Sequence, residues 1–225
     1  MNFFHSYGRF IFFTLLALPL SVAAGTDPTE SQDPGLVIVE QDRYGEILVA
    51  PDVDWTIYTK VRLETATVAF RKNWARDLRR RSDIIIRERD EARIKSDMAK
   101  LLDEILTREL FAKEDFAISD EAGVDVMRVT PRIVDLDIYA PDRVRDYIGH
   151  ALADSQGNMT LELEFHDSVS GQLLATSWQY QEDPQKGYME EANSATNRQA
   201  FRLMLLRWTT WLHENLAKVR AEQAE

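Results

Sequence analysis

The stretch Met159 to Tyr180, MTLELEFHDSVSGQLLATSWQY, predicts a β-hairpin around which the rest of the chain is organised. Every second residue of its first half is apolar: Met159, Leu161, Leu163 and Phe165. This alternation is the period-2 pattern of a half-buried strand. The second half returns with Leu174, Thr176, Trp178 and Tyr180 on one face. We therefore expect two antiparallel strands that share one buried face.

The loop between the two halves predicts their register. If Ser168–Gly171 is the loop, Phe165 lies opposite Leu174, and Leu161 lies opposite Trp178. A shift of one residue would place Phe165 opposite Ala175 and lose the match between the apolar faces. Gly171 suits a positive-φ position at the end of the loop, and Asp167 suits a cap at its start.

The first 24 residues have the pattern of a cleaved secretory signal. Arg9 precedes an apolar run from Phe10 to Leu20, and Val22–Ala24 offers small residues to a signal peptidase. The run is shorter than the roughly 20 residues that a membrane-spanning helix needs. We expect cleavage after Ala24, no transmembrane span in the remaining chain and a periplasmic location; an uncleaved anchor is the alternative.

Residues 25–35 are polar and turn-rich, which predicts a disordered tether, and residues 36–225 are of a length that suits a single domain. The chain has no cysteine, which excludes disulfides, thiolate metal sites and a lipidated cysteine. Its 38 acidic and 27 basic residues give a formal net charge of −11. Such a surface repels nucleic acid, so we expect no nucleic-acid partner.

Two long helices are predicted from apolar residues that recur with the 3.6-residue period. The first covers Arg89–Phe111, and the second covers Ser194–Ala221 with Trp208 and Trp211 as core anchors. Short strands are expected at Leu36–Val39 and Ile47–Ala50. The order of the elements predicts an α+β fold of two layers, with both long helices packed on one face of a mostly antiparallel sheet.

Two irregularities and one regular strand are expected in the rest of the sheet. Trp55–Phe70 changes its apolar parity, which predicts a bulge near Glu64–Ala66, and Thr130–Pro131 is expected to interrupt strand pairing. Ile133–Pro141 is predicted to place Val134, Leu136 and Ile138 inward. Its outward carboxylates, Asp135 and Asp137, are too few for a cation site, so we expect no metal.

No motif for a known catalytic chemistry or cofactor occurs, so we assign no catalytic, metal-binding or cofactor-binding residue. His150, His166 and His213 are expected to be surface residues without a catalytic role. The basic cluster of Arg76, Arg79, Arg80 and Arg81 beside Trp74 is interpreted as a solvated loop. A small-ligand site at this Trp74 and Arg76–Arg81 loop is the alternative.

The last helix also carries apolar residues opposite its core stripe. Leu203 and Leu206 lie there together with Thr210 and Ala217. Either the Leu36–Val39 segment folds over them, or Leu203, Leu206 and Thr210 form a surface for a partner.

Several motifs together resemble the bacterial envelope family called domain of unknown function 3313. They are Pro51–Trp55 (PDVDW), Tyr58–Val61 (YTKV), Asp135–Asp142 (DLDIYAPD), Leu161–Gly171 (LELEFHDSVSG) and the helix around Trp208. Many members of that family resemble lipoproteins, whereas this chain has no cysteine for a lipid anchor. The resemblance therefore implies a soluble periplasmic form and implies no activity.

The absence of catalytic motifs, together with the secretory signal and the acidic surface, favours a non-enzymatic envelope protein that binds or scaffolds an envelope protein partner. The alternative from another class is an envelope glycan hydrolase that uses paired carboxylates. A deep cleft with two carboxyl groups would favour the hydrolase, and a flat outer face of the sheet would count against it. The sequence leaves the oligomeric state open.

Overall fold

The computed structural model describes residues 35–51, 53–82, 85–113, 116–141 and 151–223. Within these ranges the strands are β1 (Val37–Gln41), β2 (Gly45–Val49), β3 (Lys60–Leu63), β4 (Thr67–Phe70), β5 (Ala117–Ile118), β6 (Val126–Ile138), β7 (Ala151–Ala153), β8 (Gly157–Asp167), β9 (Leu173–Glu182) and β10 (Glu190–Ala192). The helices are α1 (Trp74–Ser82), α2 (Glu88–Ile105) and α3 (Ser194–Gln223). The predicted signal, residues 1–24, residues 25–34 of the predicted tether, and His150 lie outside the described part.

The described strands form a large sheet and a small one. The large sheet has the order β1-β2-β9-β8-β6-β3-β5, and β4 also pairs with β6. Antiparallel pairs join β1 to β2, β2 to β9, β9 to β8 and β8 to β6, whereas β3 and β4 run parallel to β6. The small sheet pairs β7 with β10. The chain is thus a mixed α/β protein with a mostly antiparallel sheet and three α-helices in its described part.

One hydrophobic core joins the large sheet to the helices, and the two long helices predicted from the 3.6-residue period are confirmed. Helix α2 contributes Met98, Leu101, Leu102 and Ile105, and α3 contributes Phe201, Met204, Leu205, Trp208 and Leu212. A π-helical segment, Leu106–Phe111, continues α2 and adds three more buried residues. Trp208 is fully buried, as predicted for a core anchor, and Trp211 packs against the core at its edge.

The extended segment is interrupted at residues 64–66, between β3 and β4, where the sequence predicts a bulge. We call this interruption the break between β3 and β4. Both strands pair with β6 on either side of the break, so the chain leaves the sheet and returns to it. The Ala66 N–H donates to Asp103 Oδ1 of α2 at 3.2 Å. This bond satisfies a backbone donor that has no strand partner, and burial raises the pKa of Asp103.

The expected interruption at Pro131 is wrong, because β6 runs through it without a break. Glu64 N donates to Val129 O at 2.9 Å, so Val129 directs its backbone groups towards β3 and β4. Pro131, two residues further, directs its backbone groups to the same side. It lies level with the break between β3 and β4, where no strand needs the N–H that proline lacks.

Because β6 contains a bulge, the set of inward residues predicted for Ile133–Pro141 is partly wrong. Asp135 has φ of 50°, and the pairing with β8 shifts between Val134 and Asp137. Ile133 is fully buried and Val134 is not, whereas Leu136 and Ile138 are buried as predicted. The extra residue changes the parity of the strand, which places Asp137 in a buried position.

The predicted hairpin exists, but its predicted register is wrong by one residue. Phe165 pairs with Ala175, and Glu162, not Leu161, pairs with Trp178. A bulge between Phe165 and His166 produces the shift. Helix α3 packs against β9, and small inward residues such as Ala175 and Ser177 let its large side chains approach the sheet.

The loop chemistry of this hairpin is confirmed. Gly171 has φ of 75°, which is the positive-φ conformation expected at the end of the loop. The Asp167 carboxylate accepts from Val169 N at 3.1 Å and from Ser170 N at 2.6 Å. These bonds, with that from Ser170 N as the largest cause, hold the pKa of Asp167 below its usual value.

The basic segment that was interpreted as a loop forms α1 instead. Trp74, its first residue, is buried and stacks on Phe70 with the ring centroids 3.9 Å apart. Its indole N–H donates to Ile138 O at 3.0 Å, and Leu78 is fully buried one turn later. Both residues join the core. The sequence pattern of this short amphipathic helix was missed because arginines fill so many of its positions.

None of the described helices is long and apolar enough to cross a membrane.

Candidate binding face of the sheet

One face of the large sheet presents polar side chains. The apolar residues of β8 point into the core and are at most 1% exposed. The residues between them, Thr160, Glu162, Glu164 and His166, are half-buried on the opposite side. We call the surface formed by these four residues and their cross-strand neighbours the outer face.

A row of four residues crosses the outer face from β6 to β2. The registers pair Arg132 with Glu162, Glu162 with Trp178, and Trp178 with Glu46. Side chains at paired positions share a face, with Cβ atoms about 4.5–5.5 Å apart. Trp178 is 38% exposed, so its ring reaches solvent between two carboxylates. We call these four residues the Trp178 row.

The carboxylates of the Trp178 row are only partly neutralised. Arg132 Nη1 bonds to Glu164 Oε1, and it lies 4.0 Å from Glu162 Oε2. Burial raises the pKa of Glu162 above its usual value, and the attraction of Arg132 opposes that rise. Glu46 accepts a bond from the Gln41 amide at 2.6 Å. The one cation of the row is thus shared between two acids, which leaves negative charge beside the indole.

A second aromatic side chain extends this surface. Tyr180 lies two residues after Trp178 on the same strand face and pairs with Thr160. Its hydroxyl donates to Glu182 Oε2 at 3.4 Å, and burial raises the pKa of Tyr180 to about 12. Tyr180 is therefore a neutral phenol at physiological pH and adds no charge of its own.

The Trp178 row has the chemistry of a cation site on a macromolecular surface. A Lys or Arg side chain attracts the face of an indole ring, and flanking carboxylates add ion pairs to that contact. Aromatic anchors surrounded by polar groups are typical of protein interfaces. Its four members lie side by side on four neighbouring strands, an arrangement that fits a partner surface.

The partner surface expected on α3 is only partly exposed. Leu203 is 48% exposed, whereas Leu206 is half-buried and packs against the core. Thr210 is exposed, and its hydroxyl donates to Leu206 O at 3.0 Å within the helix. The exposure of Leu203 shows that the Leu36–Val39 segment does not cover it, and Val37, Ile38 and Val39 are themselves at least 41% exposed. Whether this part of α3 binds a partner stays a prediction.

Arg81 of α1 and Arg71, which precedes the helix, are directed towards a buried acid. Asp137 Oδ2 accepts from Arg71 Nε at 2.8 Å, and Asp137 Oδ1 lies 3.8 Å from Arg81 Nη2. Arg81 also lies over the Tyr139 ring at 5.9 Å. Asp137 thus serves an ion-pair network, while Asp135 is exposed on the bulge. Among the described residues, no group of three or more acidic or histidine side chains is placed to hold a metal ion.

A cavity of about 280 Å³ lies between α2, the end of β6 and the start of α3. Its apolar floor includes Ile94, Met98 and Phe201, and Asp97 is its one carboxylate. Neither Trp74 nor the arginines of α1 line it. The cavity therefore matches neither the ligand site suggested for the Trp74 loop nor the paired carboxylates that a glycan hydrolase needs.

Sequence reasoning missed the Trp178 row because it placed Trp178 on the buried face. The outward set of β8, including Glu162, was predicted correctly from the alternation. The two-residue spacing of Trp178 and Tyr180 was also visible, but both residues look like core residues by composition. Only the register of β9 decides which face they occupy.

Neither a family model nor a curated protein matches this chain. Solved structures that resemble it include two crystal forms of the PelC dodecamer from Paraburkholderia phytofirmans, one of them a point variant. Each is 8% identical and covers 72% of this chain, with 95% and 93% of the PelC chain covered and TM-scores of 0.33 and 0.34. A Xanthomonas campestris protein of family DUF330 is 13% identical, with 85% and 95% of the two chains covered and a TM-score of 0.36. None of these likenesses carries an inference about this chain, and the resemblance to domain of unknown function 3313 stays a prediction.

Proposed function

We propose that this chain is a non-enzymatic protein of the bacterial cell envelope that binds a partner protein through the Trp178 row. The observation that carries the proposal is the exposed indole of Trp178 between Glu162 and Glu46. The partner contributes a Lys or Arg side chain, which stacks on the indole and pairs with the two carboxylates. This partner chemistry follows from the negative charge of the row.

The charge of the whole chain supports a basic partner. A formal net charge of −11 attracts positively charged surfaces over distances longer than a contact, which raises the rate of encounter. The partly neutralised acids of the Trp178 row would then select the docking position. Electrostatic steering and a local aromatic anchor therefore act in the same direction.

The periplasm is the proposed location, and its support is the secretory pattern of residues 1–24 together with the motifs that resemble an envelope family. We also propose that α2 and α3 form one layer on the inner face of the sheet. The shared core of α2, α3 and the inward residues of β8 supports this arrangement. In it the outer face stays open to a partner.

Binding of short peptides tests the proposed function directly. The probe is a decapeptide that alternates lysine with serine, titrated into the protein by calorimetry, and the glutamate analogue is the negative control. We expect saturable binding of the lysine peptide alone. Trp178→Ala should weaken it on the order of 3- to 30-fold, because a cation–π contact contributes about 0.5–2 kcal/mol.

Tyr188→Ala is the matched control, since Tyr188 is an aromatic residue that is 63% exposed and lies in the loop after β9. It should leave peptide binding unchanged. Equal binding of the lysine and glutamate peptides, or equal loss with both variants, would contradict the proposal. Preserved thermal unfolding of both variants shows that folding is not the cause of any change.

The envelope glycan hydrolase remains the second candidate because of one observation. Glu162 has a raised pKa, and it lies two residues from Glu164 on the same face, so two carboxyl groups lie close together as in a glycosidase. Neither glutamate lines the cavity between α2, β6 and α3, which argues against it. Release of soluble sugar from purified peptidoglycan by the wild type, and its loss in Glu162→Gln, would favour the hydrolase over the binding protein.

A further inference from the structure

A second row of the outer face, away from Trp178, consists of basic side chains. The registers pair Arg62 of β3 with Arg128 of β6, and Arg128 with His166 of β8. Paired positions share a face, so the three side chains lie side by side. We call them the Arg128 row. Three adjacent basic side chains are unexpected on a protein with a net charge of −11.

The acids around the Arg128 row pair with cations other than Arg128, one of them with Arg62 at the edge of the row. Glu64 pairs with Arg62 at 2.9 Å, and Glu164 bonds to Arg132. Asp125, at the start of β6, pairs with Lys60 at 2.9 Å. Within the described ranges, Arg128 itself has no ion-pair partner, and its Nε is buried without a hydrogen-bond acceptor. The Nε–H of this guanidinium therefore lacks the acceptor that buried charged donors normally have.

His166 lacks a hydrogen-bond partner at one of its two ring nitrogens. Its side chain is 15% exposed, and its Nδ1 is buried without a partner in the described structure. The charged groups facing it are Arg128 and Arg132 on β6 and Glu164 on β8, whose carboxylate is 4.0 Å from Nε2. Burial and then the charge of Arg128 lower the pKa of His166. His166 thus lies on the polar face of β8, as the alternation predicts, but its side chain is largely buried.

We propose that the Arg128 row binds an oxyanion of the phosphate class, held by the Arg128 guanidinium and the His166 imidazole with Arg62 at its edge. The guanidinium fork matches two oxygens of such a group, and a protonated imidazole supplies a further donor. The anion supplies the acceptors that Arg128 Nε and His166 Nδ1 lack. Free phosphate and a phospholipid headgroup share this chemistry.

The first test is an NMR titration of the His166 imidazole with inorganic phosphate at constant ionic strength. We expect a saturable change in the His166 signals and a rise in the His166 pKa, because a bound anion stabilises the imidazolium. Arg128→Gln should weaken phosphate binding at least about ten-fold, because it removes charge-assisted hydrogen bonds to the anion. The control Lys113→Gln changes the net charge equally at a residue beyond the end of α2 and should bind phosphate normally.

The second test identifies the source of the anion. Vesicles of phosphatidylglycerol, with phosphatidylcholine vesicles as the reference, are sedimented with the wild type and with Arg128→Gln. Phosphate binding without vesicle binding assigns the row to a free anion, and Arg128-dependent binding to phosphatidylglycerol assigns it to a headgroup. If neither probe binds, or if Arg128→Gln and Lys113→Gln respond alike, the proposal is wrong. Lysine-peptide binding at Trp178 is measured in the same variants. A failure of the phosphate proposal can then be distinguished from a failure of the proposed partner binding at the Trp178 row.

Discussion

Glu162 lies directly opposite Trp178 on neighbouring strands, and its pKa is raised by burial. Because its pKa is higher in the folded than in the unfolded chain, ionised Glu162 opposes folding at pH values above its folded pKa. This opposition disappears when the pH falls below the pKa of Glu162 in the unfolded chain, because Glu162 is then protonated in both states. A residue that opposes folding in this way is typical of a functional surface.

The Glu162 side chain is 37% exposed, so solvent screens its charge, and Glu162→Gln should stabilise the protein at pH 7 by only a few tenths of a kcal/mol. The gain should vanish as the pH falls below about 4, near the ordinary pKa of glutamate. Urea unfolding at both pH values measures it. Glu164→Gln, which removes the bond to Arg132, is the control and should not stabilise. A gain that is independent of pH would contradict the argument.

The register of the hairpin predicts which engineered cysteines can form a disulfide. Glu164 and Thr176 are paired on the outer face, so the pair Glu164→Cys and Thr176→Cys should oxidise readily. The pair Glu164→Cys and Ala175→Cys belongs to the register predicted from sequence and should stay reduced. The natural chain has no cysteine, so mass spectrometry after oxidation reads the result directly. Oxidation of the second pair alone would show that the register is wrong.

Local sequence patterns predicted the long helices, the inward set of β8 and the loop at Gly171, because each depends on neighbouring residues. They failed at positions whose orientation or pairing depends on an element that is distant in the sequence. Trp178 faces outward because α3 packs against β9 and small residues fill the inward positions. Pro131 is tolerated because β3 and β4 leave a break beside it. Neither fact is present in the sequence around the residue concerned.

Gly171→Val should destabilise the protein by about 1 kcal/mol or more. The φ of 75° strains any β-branched residue, although a Cβ at this position meets no atom within 4 Å. The cost is therefore purely conformational, and Gly171→Asn should cost less because asparagine tolerates this conformation. Urea midpoints of the three proteins test the prediction. Equal midpoints for the valine and asparagine variants would contradict it.

The apolar residues of α3 give a matched pair. Leu206→Glu should cost about 2 kcal/mol, because Leu206 is half-buried and packs against the core. Leu203→Glu should change stability by less than about 0.5 kcal/mol, since Leu203 is 48% exposed. Thermal unfolding compares the two variants. A large loss with Leu203→Glu would indicate that another segment of the chain covers it.

The candidate site shows the same limit of sequence reasoning. The charges and the aromatic residue of the Trp178 row come from β2, β6, β8 and β9. Glu46 and Trp178, its two most distant members in the sequence, are 132 positions apart. The sequence contains each residue, but only the strand order places them in one row. The Arg128 row is hidden in the same way, because its three members come from three strands.

The central claim is that the Trp178 row binds a basic partner in the envelope, and site-specific photocrosslinking in living cells tests it most directly. A photoreactive phenylalanine analogue replaces Trp178 in one strain and the exposed Tyr188 in another. We predict a crosslinked protein at position 178 alone, attached through a segment rich in Lys or Arg, and its loss when Glu46 and Glu162 are changed to Gln. Equal crosslinks at both positions, no crosslink at position 178, or a crosslink that persists without the two carboxylates would contradict the claim.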